Sequence, residues 1–242
     1  MKIKTILVGS IIVLLVFLIY LTTLDKKVYY LSLGDSLALG QTPYGNLDYG
    51  YTDYIKDYLK DKKILEKHIN EFSAENHRIT DLIRDIEDNK KIYINNKPQT
   101  IKNALIKADL ITLSIGLDEI IYKLGNIFND SNVYSYIDEV MEDMNKLLSL
   151  IKEYCKEDII VLGYYLPILY SNDENSRQYI EYANKKLEDL CNFYSIHFIK
   201  LDTIMHNNSE YLPNPLDFHP SKVGYEATAN EIIKKINQTL LK

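Results

Sequence analysis

The chain alternates between two patterns of apolar and polar positions. Short runs in which almost every residue is apolar read as strands buried on both faces: residues 28–33 (VYYLSL), 110–115 (LITLSI), 159–162 and 197–201, with 64–72 a weaker example. Between them lie stretches with an apolar residue every three or four positions, as on a helix that buries one face. These are residues 51–60, 79–86 (Ile79, Leu82, Ile83 and Ile86), 133–154, 179–194 and 223–241. Residues 91–100 fit neither pattern and read as a surface excursion that turns at Asn95-Asn96. Strand and helix in alternation predict a single α/β domain over residues 28–242, three layers with a parallel sheet between helices. In such sheets ligands sit outside the carboxyl ends of the strands. That singles out residues 34–37, 70–81 and 116–119, and the loop 214–220 before the last helix.

Residues 5–24 stand apart. They form an uncharged run of 20 residues behind Lys2 and Lys4. A membrane-spanning helix needs about 20 apolar residues, and the core of a secretory signal has roughly 7–15. Neither a small-residue cleavage pattern nor a cysteine for lipidation follows in Thr22-Thr23-Leu24-Asp25-Lys26-Lys27. Residues 1–27 are therefore expected to be an uncleaved, single-pass membrane anchor, a cleaved signal being the alternative. The lysines hold the N-terminus inside and place the domain outside the cytoplasm.

Overall composition is ordinary for a globular protein, with 46% hydrophobic and 26% charged residues. Charge narrows the choice of partners. Without the four lysines and one aspartate of residues 1–27, the net charge goes from −6 to −9. So acidic a domain repels a phosphate backbone, which argues against nucleic acid. Cys155 and Cys191 each come late in a helical stretch, just before a strand-like run. Outside the cell they could pair, but the plainer reading is two separate, half-buried thiols. Neither has zinc-site spacing, and no HExxH, phosphate loop or GxGxxG is present, so no metal or cofactor is expected.

The chemistry concentrates at two ends. Leu33-Gly34-Asp35-Ser36-Leu37 closes a buried strand with a glycine and puts a serine at the start of a helix. A serine hydroxyl becomes a nucleophile when it is held at such a turn beside a base. Asp217-Phe218-His219-Pro220-Ser221 supplies a loop histidine with a carboxylate close by, able to fix the imidazole tautomer. His77 reads as a surface residue or as one lining the site, and His68, His197 and His206 have no evident partner.

Together these residues resemble the SGNH, or GDSL, hydrolase family, over essentially residues 28–242. The first family block is matched by Gly34-Asp35-Ser36-Leu37, and the last by His219, Pro220, Gly224 and Tyr225. The resemblance implies a flavodoxin-like fold and a serine esterase or acylhydrolase. In it Ser36 is the nucleophile, His219 the base, and Asp217 the orienting acid. The oxyanion donors would be the backbone N–H groups of Ser36 and Asn76, with Gly116, Asp118 and Asp35 around them. The chain departs from the family in three places. Aligning Thr80-Asp81-Leu82 puts Asn76 (or Glu75) where the family has an oxyanion-hole glycine; asparagine tolerates the left-handed backbone this requires. Gly116-Leu117-Asp118-Glu119 carries Asp118 where the family has a hydrogen-bond-donating asparagine, and an ionised aspartate only accepts. The family's acid lies three residues before the histidine, at Leu216, whereas Asp217 lies two before; a Ser–His dyad supported by a backbone carbonyl is the fallback. The expected substrates are acyl esters of cell-wall glycans or lipids. A catalytically weakened relative that binds a glycan or acyl ligand is the alternative.

The anchor has a direct test. Full-length protein is expected to sediment with membranes at its uncleaved mass; a shorter soluble product would identify a cleaved signal.

Overall fold

The computed structural model describes residues 27–126 and 132–241. The expected anchor lies outside these residues, and among the described residues no helix is long and apolar enough to cross a membrane.

In chain order, β1 (Val28–Gly34) leads into a one-turn helix α1 (Ser36–Leu39) and then α2 (Tyr51–Asp61). β2 (Leu65–Ile69) and α3 (Ile79–Glu87) follow, then β3 (Lys91–Ile94), β4 (Lys97–Thr100) and α4 (Ile101–Lys107). After β5 (Leu110–Ser114) come α5 (Leu117–Asn126), α6 (Val133–Tyr154), β6 (Asp158–Leu162) and α7 (Glu174–Phe193). The chain finishes with β7 (His197–Ile199), the short α8 (Asp202–Met205) and α9 (Lys222–Thr239).

Five strands form a parallel sheet in the order β2-β1-β5-β6-β7. All seven residues of β1 and all five of β5 are buried, which accounts for their unbroken apolar runs. Right-handed crossovers decide where the helices lie. The step from β1 to β2 runs one way across the sheet, and every later step runs the other way. α2 therefore covers one face with the returning α9, while α3, α4 and α7 gather around the long α6 on the other. The direction reverses between β1 and β5, so their carboxyl ends frame the crevice where ligands bind in doubly wound sheets.

Gly34 makes the tight junction there. It pairs with Ser114 on β5 at a φ of +147°, and a Cβ placed on it would lie 1.9 Å from the Ser114 carbonyl oxygen. Only glycine fits this approach.

The turn expected at Asn95-Asn96 is borne out, while other expectations change. Residues 91–100 form an antiparallel hairpin, β3–β4, in which Asn95 and Asn96 both adopt positive φ (49° and 61°). That is the mirror-image turn whose twist suits a two-residue hairpin, and asparagine is among the residues that tolerate it. α4 went unread in the sequence because it is only seven residues long; Thr100 caps it by accepting from Asn103 N–H, and Ile101, Ala104 and Leu105 are buried. Cys155 and Cys191 are unpaired and fully buried rather than half-buried, and burial pushes the Cys191 thiol up to about 12. His68 also finds partners: it stacks on Tyr30 at 4.5 Å and lies 2.9 Å from Ser32 Oγ, and burial lowers its pKa to about 4.

Gly34→Ala is expected to cost roughly 3 kcal/mol, since the clash is with backbone. That lowers the melting temperature by about 6–12 °C in a domain of this size. Gly45→Ala is the control: its φ is also positive (+84°), but nothing lies within 4 Å of the added carbon, so its loss in thermal unfolding is expected to be about a third as large.

Candidate active site

Ser36 opens α1 directly beyond the Gly34 junction and is 3% exposed. Asp35 caps that helix: its Oδ1 accepts from Leu37 N–H at 3.0 Å, and its own N–H donates to the Ser114 carbonyl at 3.0 Å. The carboxyl is fully buried, and burial, reinforced by Asp118, pushes its pKa well above the usual range. These contacts make Asp35 a support for the turn that aims Ser36.

His219 meets Ser36 across the crevice. Ser36 Oγ lies 2.8 Å from His219 Nε2, and His219 Nδ1 lies 2.7 Å from Asp217 Oδ1. The same Asp217 oxygen accepts the His219 backbone N–H at 2.7 Å. A carboxylate oxygen can only accept, so Nδ1 carries the proton and Nε2 is left to accept from the serine. Asp217 thus makes the orienting contact from two residues before the histidine. The family position, Leu216, is 77% exposed.

The loop around this histidine is held from several sides. Asn214 accepts Leu216 N–H on its side chain and Asp217 N–H on its carbonyl, and its own amide donates to the Pro43 carbonyl. The buried Tyr165 hydroxyl donates to the Phe218 carbonyl at 2.7 Å, and the Phe218 ring stacks on the imidazole with centroids 4.3 Å apart. Tyr225 on α9 donates to the Gln41 carbonyl just beyond α1. An Asn-Pro pair signals the turn at Asn214, whereas no sequence signal marks Tyr165.

Asn76 and Asp118 approach from the second and third loops. Asn76 has φ +55°, in a turn closed by His77 N–H to the Ala74 carbonyl. Ala74 N–H and His77 Nδ1 both reach the Gly34 carbonyl at 3.3 Å, which binds this turn to the strand that carries Ser36. His77 is therefore a buried structural link, 7% exposed, and not a surface residue; its Nε2 lies 3.3 Å from Asp85 Oδ2. The backbone N–H groups of Ser36 and Asn76 make no hydrogen bond among the described residues, so both are available to an incoming oxygen. Gly116 turns at φ +95°, and a Cβ on it would come within 2.9 Å of Ile79 and of the Tyr164 hydroxyl. Asp118 follows in the first turn of α5, half-buried, and burial raises its pKa while His219 pulls it down. Glu119, not singled out in the sequence, accepts Ile79 N–H at 3.3 Å and so ties α5 to the start of α3.

A cleft of about 330 Å³ adjoins Asn76 and Asp118. A larger one, about 540 Å³, is lined by Arg177, Glu181, Lys200 and Asp202 among others. Ser36, His219 and Asp217 line neither, and the smaller cleft is the one that reaches the two positions expected around the oxyanion, Asn76 and Asp118. Among the described residues no group of His, Cys, Asp and Glu is arranged to hold a metal ion.

Residues 32–227 match the model of the GDSL-like lipase/acylhydrolase family. No curated protein sequence matches the chain. Several solved structures share its fold. A lipase from a goat rumen metagenome is 19% identical with a TM-score of 0.69, over 85% of this chain and 95% of that one. An acetylxylan esterase from Geobacillus stearothermophilus is 17% identical with a TM-score of 0.62, over 88% and 94%. A member of the lipolytic G-D-S-L family from Veillonella parvula is 14% identical with a TM-score of 0.57, over 85% and 96%. At these identities the likeness is one of fold.

The shifted acid can be tested without any substrate. Protein labelled with ¹⁵N-histidine is expected to show a strongly downfield Nδ1 proton from His219. Asp217→Ala should remove that signal and Leu216→Ala should leave it in place.

Proposed function

The chain belongs to the GDSL-like lipase/acylhydrolase family, and we propose that this member is a serine esterase in which Ser36 is the nucleophile, His219 the base and Asp217 its orienting acid. One observation carries the reading: Ser36 Oγ, His219 and Asp217 form a continuous hydrogen-bonded relay at 2.8 and 2.7 Å. Ser36 attacks the ester carbonyl as its proton passes to His219 Nε2. The Asp217 carboxylate stabilises the imidazolium, which then gives that proton to the departing alcohol. Water, deprotonated by the same imidazole, releases the acid from the acyl-enzyme and restores Ser36. The tetrahedral oxyanion is held by the Ser36 and Asn76 N–H groups.

Asp118 decides how well this works. In its protonated form it donates to the oxyanion as the family's asparagine does; ionised, it faces the oxyanion with a like charge. Burial raises its pKa, so the useful form persists to higher pH than for an ordinary aspartate. Asp118 also motivates a second reading, a weakened enzyme that mainly binds its ligand. Removing one oxyanion donor typically costs about 10²–10³ in rate.

The substrates are acyl esters of glycans or lipids outside the cytoplasm, reached by a domain held to the membrane through residues 1–27. The uncharged run at residues 5–24 supports that location. The fold shared with an acetylxylan esterase supports an ester of this kind.

The test is turnover of a short-chain aryl ester by the full-length protein, with Ser36→Ala as control. Wild type is expected to exceed the control by about 10³-fold or more; equal rates would reject the esterase. Asp118 carries a second prediction. Asp118→Asn is expected to raise kcat about tenfold or more, and the gain should grow as pH rises, since ionisation costs the aspartate its donor while asparagine keeps its own. An Asp118→Asn variant no faster than wild type would show that position 118 does not supply the donor.

A further inference from the structure

Among the described residues the cleft beside the proposed oxyanion hole is lined by Asn76, Arg78, Asp118, Glu119, Tyr122 and Tyr136, none of them aliphatic. An alkyl chain placed there would strip water from a guanidinium and two carboxyl groups and return no hydrogen bonds. The same walls suit a molecule with hydroxyls around its rim and C–H groups on its faces. Among the described residues the Arg78 guanidinium forms no ion pair, so its donors are open to a ligand. Tyr122 leaves a large ring 73% exposed at the cleft. Tyr136 is fixed by its hydroxyl, which donates to the Glu119 carbonyl at 3.3 Å. The electron-rich faces of such rings attract the weakly positive C–H face of a pyranose.

We propose that this cleft is the subsite for the alcohol portion of the ester, and that this alcohol is a neutral sugar. Arg78 and Glu119 bind its hydroxyls; Tyr122 and Tyr136 carry its ring. The assignment rests on the esterase reading of Ser36. Neutrality follows from the lining: one guanidinium stands among the carboxyl groups of Asp118 and Glu119, so the cleft offers a sugar acid no excess of cationic partners. Size sets the scale as well. At about 330 Å³ the cleft is near the lower end of the roughly 300–1,000 Å³ range of small-molecule sites, so it holds little more than one sugar ring, with the rest of a glycan leaving past the exposed Tyr122. A lipid ester is the competing substrate, and it would need an apolar channel that these walls do not provide.

The experiment measures kcat/KM of the full-length protein on mono-O-acetylated methyl pyranosides, 4-nitrophenyl acetate and octyl acetate. Arg78→Ala and Tyr122→Ala are both exposed changes that leave the core intact. Each is expected to lower kcat/KM on the acetylated sugar about tenfold further than on the aryl acetate, mainly through a higher KM. The wild type should also turn over the acetylated sugar faster than octyl acetate. Equal losses on the sugar and aryl acetates, or a preference for octyl acetate, would overturn the sugar subsite while leaving the esterase standing. A wild type no faster than Ser36→Ala on 4-nitrophenyl acetate would remove the esterase reading and the subsite with it.

Discussion

The hydrogen bond between Ser36 Oγ and His219 Nε2 joins two residues 183 positions apart, and most of the structure can be read as the means of holding them 2.8 Å from each other. One partner is delivered by the sheet. β1 and β5 run side by side to the point where the strand order reverses, and the glycine junction there leaves Ser36 at the mouth of the crevice. The other partner is delivered by a loop, which has no ladder of its own and must be pinned by individual contacts from Asn214, Tyr165 and Tyr225. Each such bond contributes only about 0.5–1.5 kcal/mol. Several of them, around a buried imidazole, leave the histidine a single orientation.

Asp217 shows how that loop absorbs a displaced acid. One carboxylate oxygen takes both the backbone N–H and the Nδ1–H of His219, so the acid fixes the main chain and the ring together. Placed two residues ahead of the histidine, it reaches back through a turn that Asn214 closes. Hydrogen bonds to a charged acceptor are about twice as strong as neutral ones, which favours this compact arrangement over a dyad resting on a carbonyl.

Much of this was legible in the chain. Buried parallel strands carry unbroken apolar runs, so β1, β5 and β6 stand out, and the serine and histidine segments follow from where such strands end. What escaped is short or depends on distant partners. α4 is too brief for periodicity to reveal, and the β3–β4 hairpin shows only two asparagines. His77 looks like a polar loop residue because its partners, the Gly34 carbonyl and Asp85, come together only in the folded chain. Tyr165 and Glu119 likewise matter through main-chain groups of other segments, and main-chain groups leave no trace in a sequence.

The oxyanion side remains in tension with the nucleophile side. The relay is complete, yet in the proposed mechanism the third donor position holds an aspartate whose usefulness depends on keeping its proton. Burial helps it do so, while His219 works against it and the Asp217 charge adds to the rise. The most direct test of the account is intact-protein mass spectrometry of a reaction with a short-chain aryl ester, quenched during turnover. The account predicts a single acyl adduct that maps to Ser36 and disappears in Ser36→Ala. An adduct on another residue, or undiminished turnover by Ser36→Ala, would contradict it.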